Sequence, residues 1–192
     1  MPTSTSPRPY HHGDLRDTLL QAAERMADAD VSGGFSLREL AREAGVSHAA
    51  PYRHFRDRDE LVLALAERWM NQFVAAQESA VGSGDARADL LAVGTAYVRW
   101  ALDHPSRFRL VFDPAVNRPG DPPTPAFAEL VGRHTALLRD AVAAAAEAGV
   151  VDDRDGAVGA ALWSQVHGLA GLVLLGHIAA GDVETVLGAL LR

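Results

Sequence analysis

Read for the spacing of its apolar positions, the chain is helical from end to end. Leu15, Leu19, Ala22, Ala23 and Met26 recur at three- and four-residue steps and predict one buried face on a first helix over 13–29. The segment SLRELAREAG opens with Ser36 three residues before Glu39, the spacing of a capping box, and Leu37, Leu40 and Ala41 form its buried face. Gly45 supplies a residue that accepts positive φ where this second helix must stop. Ser47 is placed to cap a short third helix running to about Phe55, its core anchor. Asp57 with Glu60 repeats the acidic cap and opens a long helix from Arg58 to about Ser79, with Leu61 and Leu65 inside. No run alternates with the period of a strand.

After VGSGD the pattern changes to fewer charges, more alanine and longer helices, predicted over 85–103, 105–112, 124–148, 154–178 and 182–191. That makes about nine helices and an all-α fold. Asp103-His104-Pro105 reads as a stop followed by a proline at a first helical position. DPAVNRPGDPPTP is the one long proline-rich loop and the candidate lid or entrance. Residues 157–180 are nearly uncharged and long enough to cross a bilayer. However, Ser164, Gln165, His167 and His177 lie within the stretch, and Asp152, Asp153 and Asp155 stand where a basic flank is required. A helix buried on two sides is therefore expected, with no membrane span. Gly168, Gly171, Ala160 and Ala161 allow close helix contact, so one side can pack in its own core and the other on a twofold mate.

Charge alters this picture in one place. The 192 residues carry a formal net charge of -7, which argues against a protein that coats nucleic acid nonspecifically. Yet VSHAAPYRHFRDRDEL gathers His48, Arg53, His54, Arg56 and Arg58. Two short capped helices across a tight glycine turn, with the small Ala41 at the crossing and Val46 behind it, form a helix-turn-helix pattern. In that arrangement His48, Ala49 and Ala50 face base edges, and Tyr52, His54 and Arg58 reach phosphates. Two alternatives stand beside it: Arg38, Arg42, Arg53 and Arg56 as a solvated face, or a helix-turn-helix adaptor that binds only protein. Pro51 falls near the end of the third helix's first turn, where at most one hydrogen bond is lost.

Other chemistry is thin. All 18 basic side chains of the Lys/Arg class are arginine, and the absence of cysteine excludes disulfides and thiolate metal sites, as suits a reducing cytoplasm. The N-terminal PTSTSPRPYHHGD has no apolar core, so no secretory leader is expected. The eight histidines form no His-x3-His or Glu-x-x-His pair, so neither metal nor cofactor is expected. There is no Gly-x-Ser-x-Gly elbow, P-loop or dinucleotide fingerprint, and no catalytic residue is assigned. A helical enzyme in the C-terminal half remains an alternative that no nucleophile–base pair supports.

FSLRELAREAGVSHAAPYRHFRDRDELVLAL resembles the N-terminal DNA-binding domain of the TetR family of transcriptional repressors. The resemblance spans about 10–66 and rests on Ser36, Gly45, Ser47, Tyr52, His54, Phe55, Arg58 and Glu60; Arg58 stands where lysine is more frequent and still serves the backbone. It implies a three-helix DNA-binding domain at 10–58 and a helical ligand-binding and dimerisation domain at 59–192, although composition alone shifts near Gly82 to Gly84. By it, His48 and Ala49 lie against bases with Arg53 beside them, and Ser36, Ser47, Tyr52, His54 and Arg58 hold phosphates. Arg38 joins this DNA-facing set. HPSRFRLVF and WSQVHG resemble part of the family over a shorter span. The implied partners are double-stranded operator DNA, a second copy through the last two helices, and a small effector that releases a cytoplasmic, nucleoid-associated repressor. Candidate pocket residues are Trp100, Phe108, Phe112, Phe127, His134, Leu138, Trp163 and His167, each of which also reads as plain core, with His167 able to bond across the dimer. Their apolar character suggests a hydrophobic or aromatic effector.

Overall fold

The computed structural model describes residues 12–29, 36–113, 116, 123–189 and 191, and all regular structure among them is helical. The order is α1 (His12–Ala29), α2 (Leu37–Glu43), a 3-10 turn (Pro51–Arg53), α3 (Arg58–Glu78), α4 (Ala86–Asp103), α5 (Pro105–Val111), α6 (Pro125–Glu147), α7 (Val158–Leu174), a second 3-10 turn (Ala180–Asp182) and α8 (Val183–Gly188). The chain divides into two compact units, Met1–Leu65 and Ala66–Arg192. Most of the proline-rich candidate lid, 114–122 apart from Val116, lies outside the described residues.

In the first unit, Leu19, Ala22 and Ala23 of α1 and Leu40 and Ala41 of α2 are fully buried, with Phe55, Leu61 and Leu65. The ends of α2 close as their residues dictate. Ser36 Oγ accepts from the Glu39 amide at 3.2 Å, and the Glu39 carboxylate accepts from the Ser36 amide at 2.7 Å. At the other end Gly45 adopts φ +68°, so its amide reaches Arg42 O at 3.2 Å and the Val46 amide reaches Ala41 O at 2.9 Å.

The third helix is a correction. Ser47 caps no α-helix here: the Ala50 amide bonds to Ser47 O at 2.9 Å, and a single 3-10 turn over Pro51–Arg53 follows. The cause is Pro51, which has no amide to offer Ser47 O and whose ring would crowd that carbonyl in an α-helix. Ala50 takes the carbonyl instead, and Pro51 is buried. Eight α-helices therefore stand among the described residues where about nine helices were expected. The acidic cap of α3 also differs in one bond. Asp57 accepts from the Glu60 amide at 2.9 Å, but Glu60 reaches back to the Arg56 amide, at 2.7 Å, not to that of Asp57.

In the second unit α4 packs against α5, α6, α7 and α8. Gly94 permits the closest of these approaches, since a Cβ there would meet Leu187 at 3.2 Å and Val166 at 3.3 Å. Thr124 caps α6, and Pro105 and Pro125 occupy first-turn positions where their missing amides cost nothing. Helix α7 is shorter than predicted and buries Val166, Leu169 and Ala170 only. No helix among the described residues is long and apolar enough to cross a membrane.

Replacing Gly45 by alanine forces an L-residue into the left-handed region. We expect a loss of about 1–2 kcal/mol, measured by urea denaturation, with the helical circular dichroism spectrum retained.

Candidate nucleic-acid interface and effector pocket

The segment after Gly45 sorts its side chains sharply. Ala50, Pro51 and Phe55 turn inward, and the Arg16 guanidinium lies 5.4 Å from the centre of the Phe55 ring. Ser47, His48, Ala49, Arg53 and Arg58 are exposed, Tyr52 is 51% exposed and His54 is half-buried. Successive i→i−3 bonds, Arg53 to Ala50 at 3.2 Å and His54 to Pro51 at 2.9 Å, fix the backbone of this turn. Arg38 is exposed on α2. Phe55, Leu61 and Leu65 are core, as their apolar spacing requires.

Ser36 of the candidate set and the neighbouring Arg56 are already engaged. The Ser36 hydroxyl donates to Glu39 at 2.8 Å, so Ser36 can donate to a phosphate only by releasing that carboxylate. The Ser36 amide and hydroxyl hold the Glu39 carboxyl below its ordinary range. Arg56 pairs with Asp57 at 3.1 Å, and the Glu60 amide and then Arg56 hold the Asp57 carboxyl low.

The candidate pocket residues of the second unit pack mainly on one another. Phe73 stands at 4.8 Å from Tyr97, 5.1 Å from Trp100, 5.8 Å from Phe112 and 5.4 Å from His134, measured between ring centres. Phe108 and Phe112 in turn contact His167 at 5.3 and 5.0 Å, and Trp163 reaches it at 6.2 Å. Phe127 is buried at the start of α6, outside these ring contacts. Leu138 and Trp163 border a small, partly open hollow of about 40 Å³ between α4, α6, α7 and α8. Trp100 borders a wider surface trough of about 550 Å³, whose wall carries Arg99, Asp103 and Glu184.

The residue that sequence reasoning passed over is Tyr97. Its hydroxyl lies 2.7 Å from His167 Nδ1, so His167 bonds within its own chain through that nitrogen. Burial pushes the Tyr97 phenol well up and both His167 and His134 down, so the bond joins a protonated phenol to a neutral imidazole. The available signal was the Tyr97–Trp100 spacing, which puts two aromatics on adjoining positions of one helical face. No group of three or more metal-ligating side chains occurs among the described residues.

Comparison with known proteins covers both units. The family model described as bacterial regulatory proteins, tetR family, matches residues 19–65, and that described as Tetracyclin repressor-like, C-terminal domain, matches residues 90–192. A structure from Rhodococcus sp. RHA1, described as a protein with unknown function, is 38% identical over 95% of this chain and 94% of that one, with a TM-score of 0.81. The TetR family regulator PfmR from Thermus thermophilus is 23% identical over 92% and 95% of the two chains, with a TM-score of 0.69. The fatty acid degradation regulator FadR from Bacillus halodurans is 16% identical over 95% and 97%, with a TM-score of 0.71. The last two are similar in fold alone.

The half-buried His134 and His167 generate a pH prediction. Their folded values lie below the ordinary 6.5, so the unfolded chain binds protons first as pH falls. Their contribution to stability is complete above about pH 6.5 and is lost as pH drops through that value toward their depressed folded values. Thermal melts across this range should show the midpoint declining below that pH. His167→Gln, which keeps an acceptor for Tyr97, should flatten part of the decline.

Proposed function

The chain belongs to the TetR family of transcriptional regulators, and from that premise we propose that it is a repressor: a homodimer on a near-palindromic operator, released by a small apolar effector. Members of the family are transcription regulators rather than enzymes. The observation that carries the reading is the outward surface of residues 47–58, exposed above a buried Ala50, Pro51 and Phe55. Between Ser36 and Arg58 five arginines face three acids, a local excess of positive charge in an acidic chain. We assign 10–58 to DNA binding and 59–192 to effector binding and dimerisation. His48 and Ala49 read bases, because a small alanine allows close approach and contact with a thymine methyl. Arg53 stands beside the bases, and Ser47, Tyr52, His54 and Arg58 hold the backbone, with Arg38 adding charge. Ser36 contributes only where a phosphate displaces Glu39.

The dimer is supported by α7 and the segment that follows it. Leu172 is 43% exposed and Leu175 73%, and Gly168 and Gly171 have nothing of their own chain where a Cβ would stand. A twofold mate along the last two helices covers such a face. Release works through α3, which starts at Arg58 in the first unit and carries Phe73 in the second. An effector that repacks the rings around Phe73 shifts α3, and a coupling of about 1–3 kcal/mol relieves repression 5- to 150-fold. The repressor acts in the cytoplasm, on the nucleoid.

The test begins with an operator selected from a DNA pool and titrated at two ionic strengths. Affinity should fall steeply with salt, and a protein-only adaptor would show no DNA affinity at either. Tyr52→Phe should weaken all operators alike, whereas His48→Ala should change preference at one base step by about 1–3 kcal/mol. A monomer at micromolar concentration in sedimentation would sink the twofold model.

A further inference from the structure

Arg16 belongs to α1 and lies outside the helix-turn-helix segment. Its guanidinium stands over the ring of Phe55, 5.4 Å from the centre, while the residue as a whole is exposed. No carboxylate among the described residues pairs with it. Its neighbour Asp17 accepts from Gln21 at 2.6 Å. By contrast Arg25, further along the same helix, pairs with Glu43 at 3.6 Å, and Arg56, next to Phe55 in the chain, pairs with Asp57 at 3.1 Å. Arg16 is therefore a cation fixed in place by a ring and not by an acid. A guanidinium stacked on an aromatic face keeps its N–H edge available and gives up little further freedom when it binds an anion.

Resting on the DNA-binding reading just given, we infer that Arg16 is a further contact to the operator backbone, made from α1. Phe55 follows His54 directly and Arg58 stands three residues on, and both belong to the set proposed to hold phosphates. The ring of Phe55 is buried, so the side chain that anchors this segment in the core also anchors Arg16 beside its end, within one compact unit. Asp57 offsets the charge of Arg56 there, and Arg16 brings a charge that no acid offsets. Its planar fork of donors suits one phosphate, taken through two parallel hydrogen bonds. Such a contact carries no base information, so Arg16 adds affinity and register on every operator alike.

The test measures operator affinity of the full-length protein over a range of salt concentrations. Arg16→Met keeps an unbranched stem against Phe55 and removes the charge. We expect it to weaken every operator tested by roughly tenfold at low salt, and to lower the slope of log affinity against log salt by about one. Arg25→Met removes the same charge elsewhere on α1 and should leave the slope unchanged. Arg16→Lys should retain the slope, and it introduces the single side-chain amine of a chain that has no lysine. Operator should protect that amine from acetylation, read by mass spectrometry, whereas the amine from Arg25→Lys should react equally with and without DNA. An Arg16 that only packs on Phe55 changes the melting temperature of Arg16→Met and not its salt slope, and that result overturns the inference. So does acetylation of Arg16→Lys at one rate with and without operator, which decides the matter if Arg16→Met does not fold. If the unmutated protein binds operator with a steep salt slope while either result appears, DNA binding stands and the Arg16 contact falls. If the unmutated protein binds no DNA, both fall.

Discussion

The ring of Phe73 ties α3 to α4, α5 and α6 of the C-terminal unit. It meets Tyr97 and Trp100 of α4, Phe112 at the end of α5 and His134 of α6. Where structure is purely helical, no sheet ladder joins one element to the next, and side chains alone set the spacing. Ring pairs of this kind contribute about 0.5–1.5 kcal/mol each beyond the area they bury. The Tyr97–His167 bond gives the cluster an oriented polar contact.

Polar contacts grip the same helix along its length. Thr124 donates to Glu67 at 2.5 Å, Arg107 to Gln72 at 3.1 Å, and Arg133 to Glu78 at 2.6 Å. Arg107 also lies 5.6 Å from the centre of the Trp69 ring. The second half of α3 is thus set by α5 and α6 as well as by the rings, and any molecule that repacks this unit acts on α3. The exposed Arg133–Glu78 pair adds little stability by itself and mainly fixes position.

The N-terminal unit is held differently, by closures spanning only a few residues. Ser36 with Glu39, Gly45 with Arg42, and Asp57 with Glu60 each terminate a helix and leave the next segment pointing outward. The segment between them is too short to be stable alone as a helix. Burial of Ala50, Pro51 and Phe55 holds it instead, which is why Tyr52, His48 and Arg53 can all stay in solvent. The net charge of -7 conceals this face because the acids are spread over the remainder of the chain.

What could be read from residue order is what physics decides locally. Caps, glycine stops and three- and four-residue apolar steps act within one or two turns, so most helix limits were legible, and so was the exposure of the residues after Gly45, except Ala50, expected at base edges and found buried. The resemblance carried by Ser47, Tyr52, His54 and Phe55 added the family. Packing decided the rest. Tyr97 and His167 lie 70 positions apart, so no local spacing could pair them. Whether aromatics line an open pocket or fill one depends on how far apart helices come to rest, and that distance is set by all the facing side chains together.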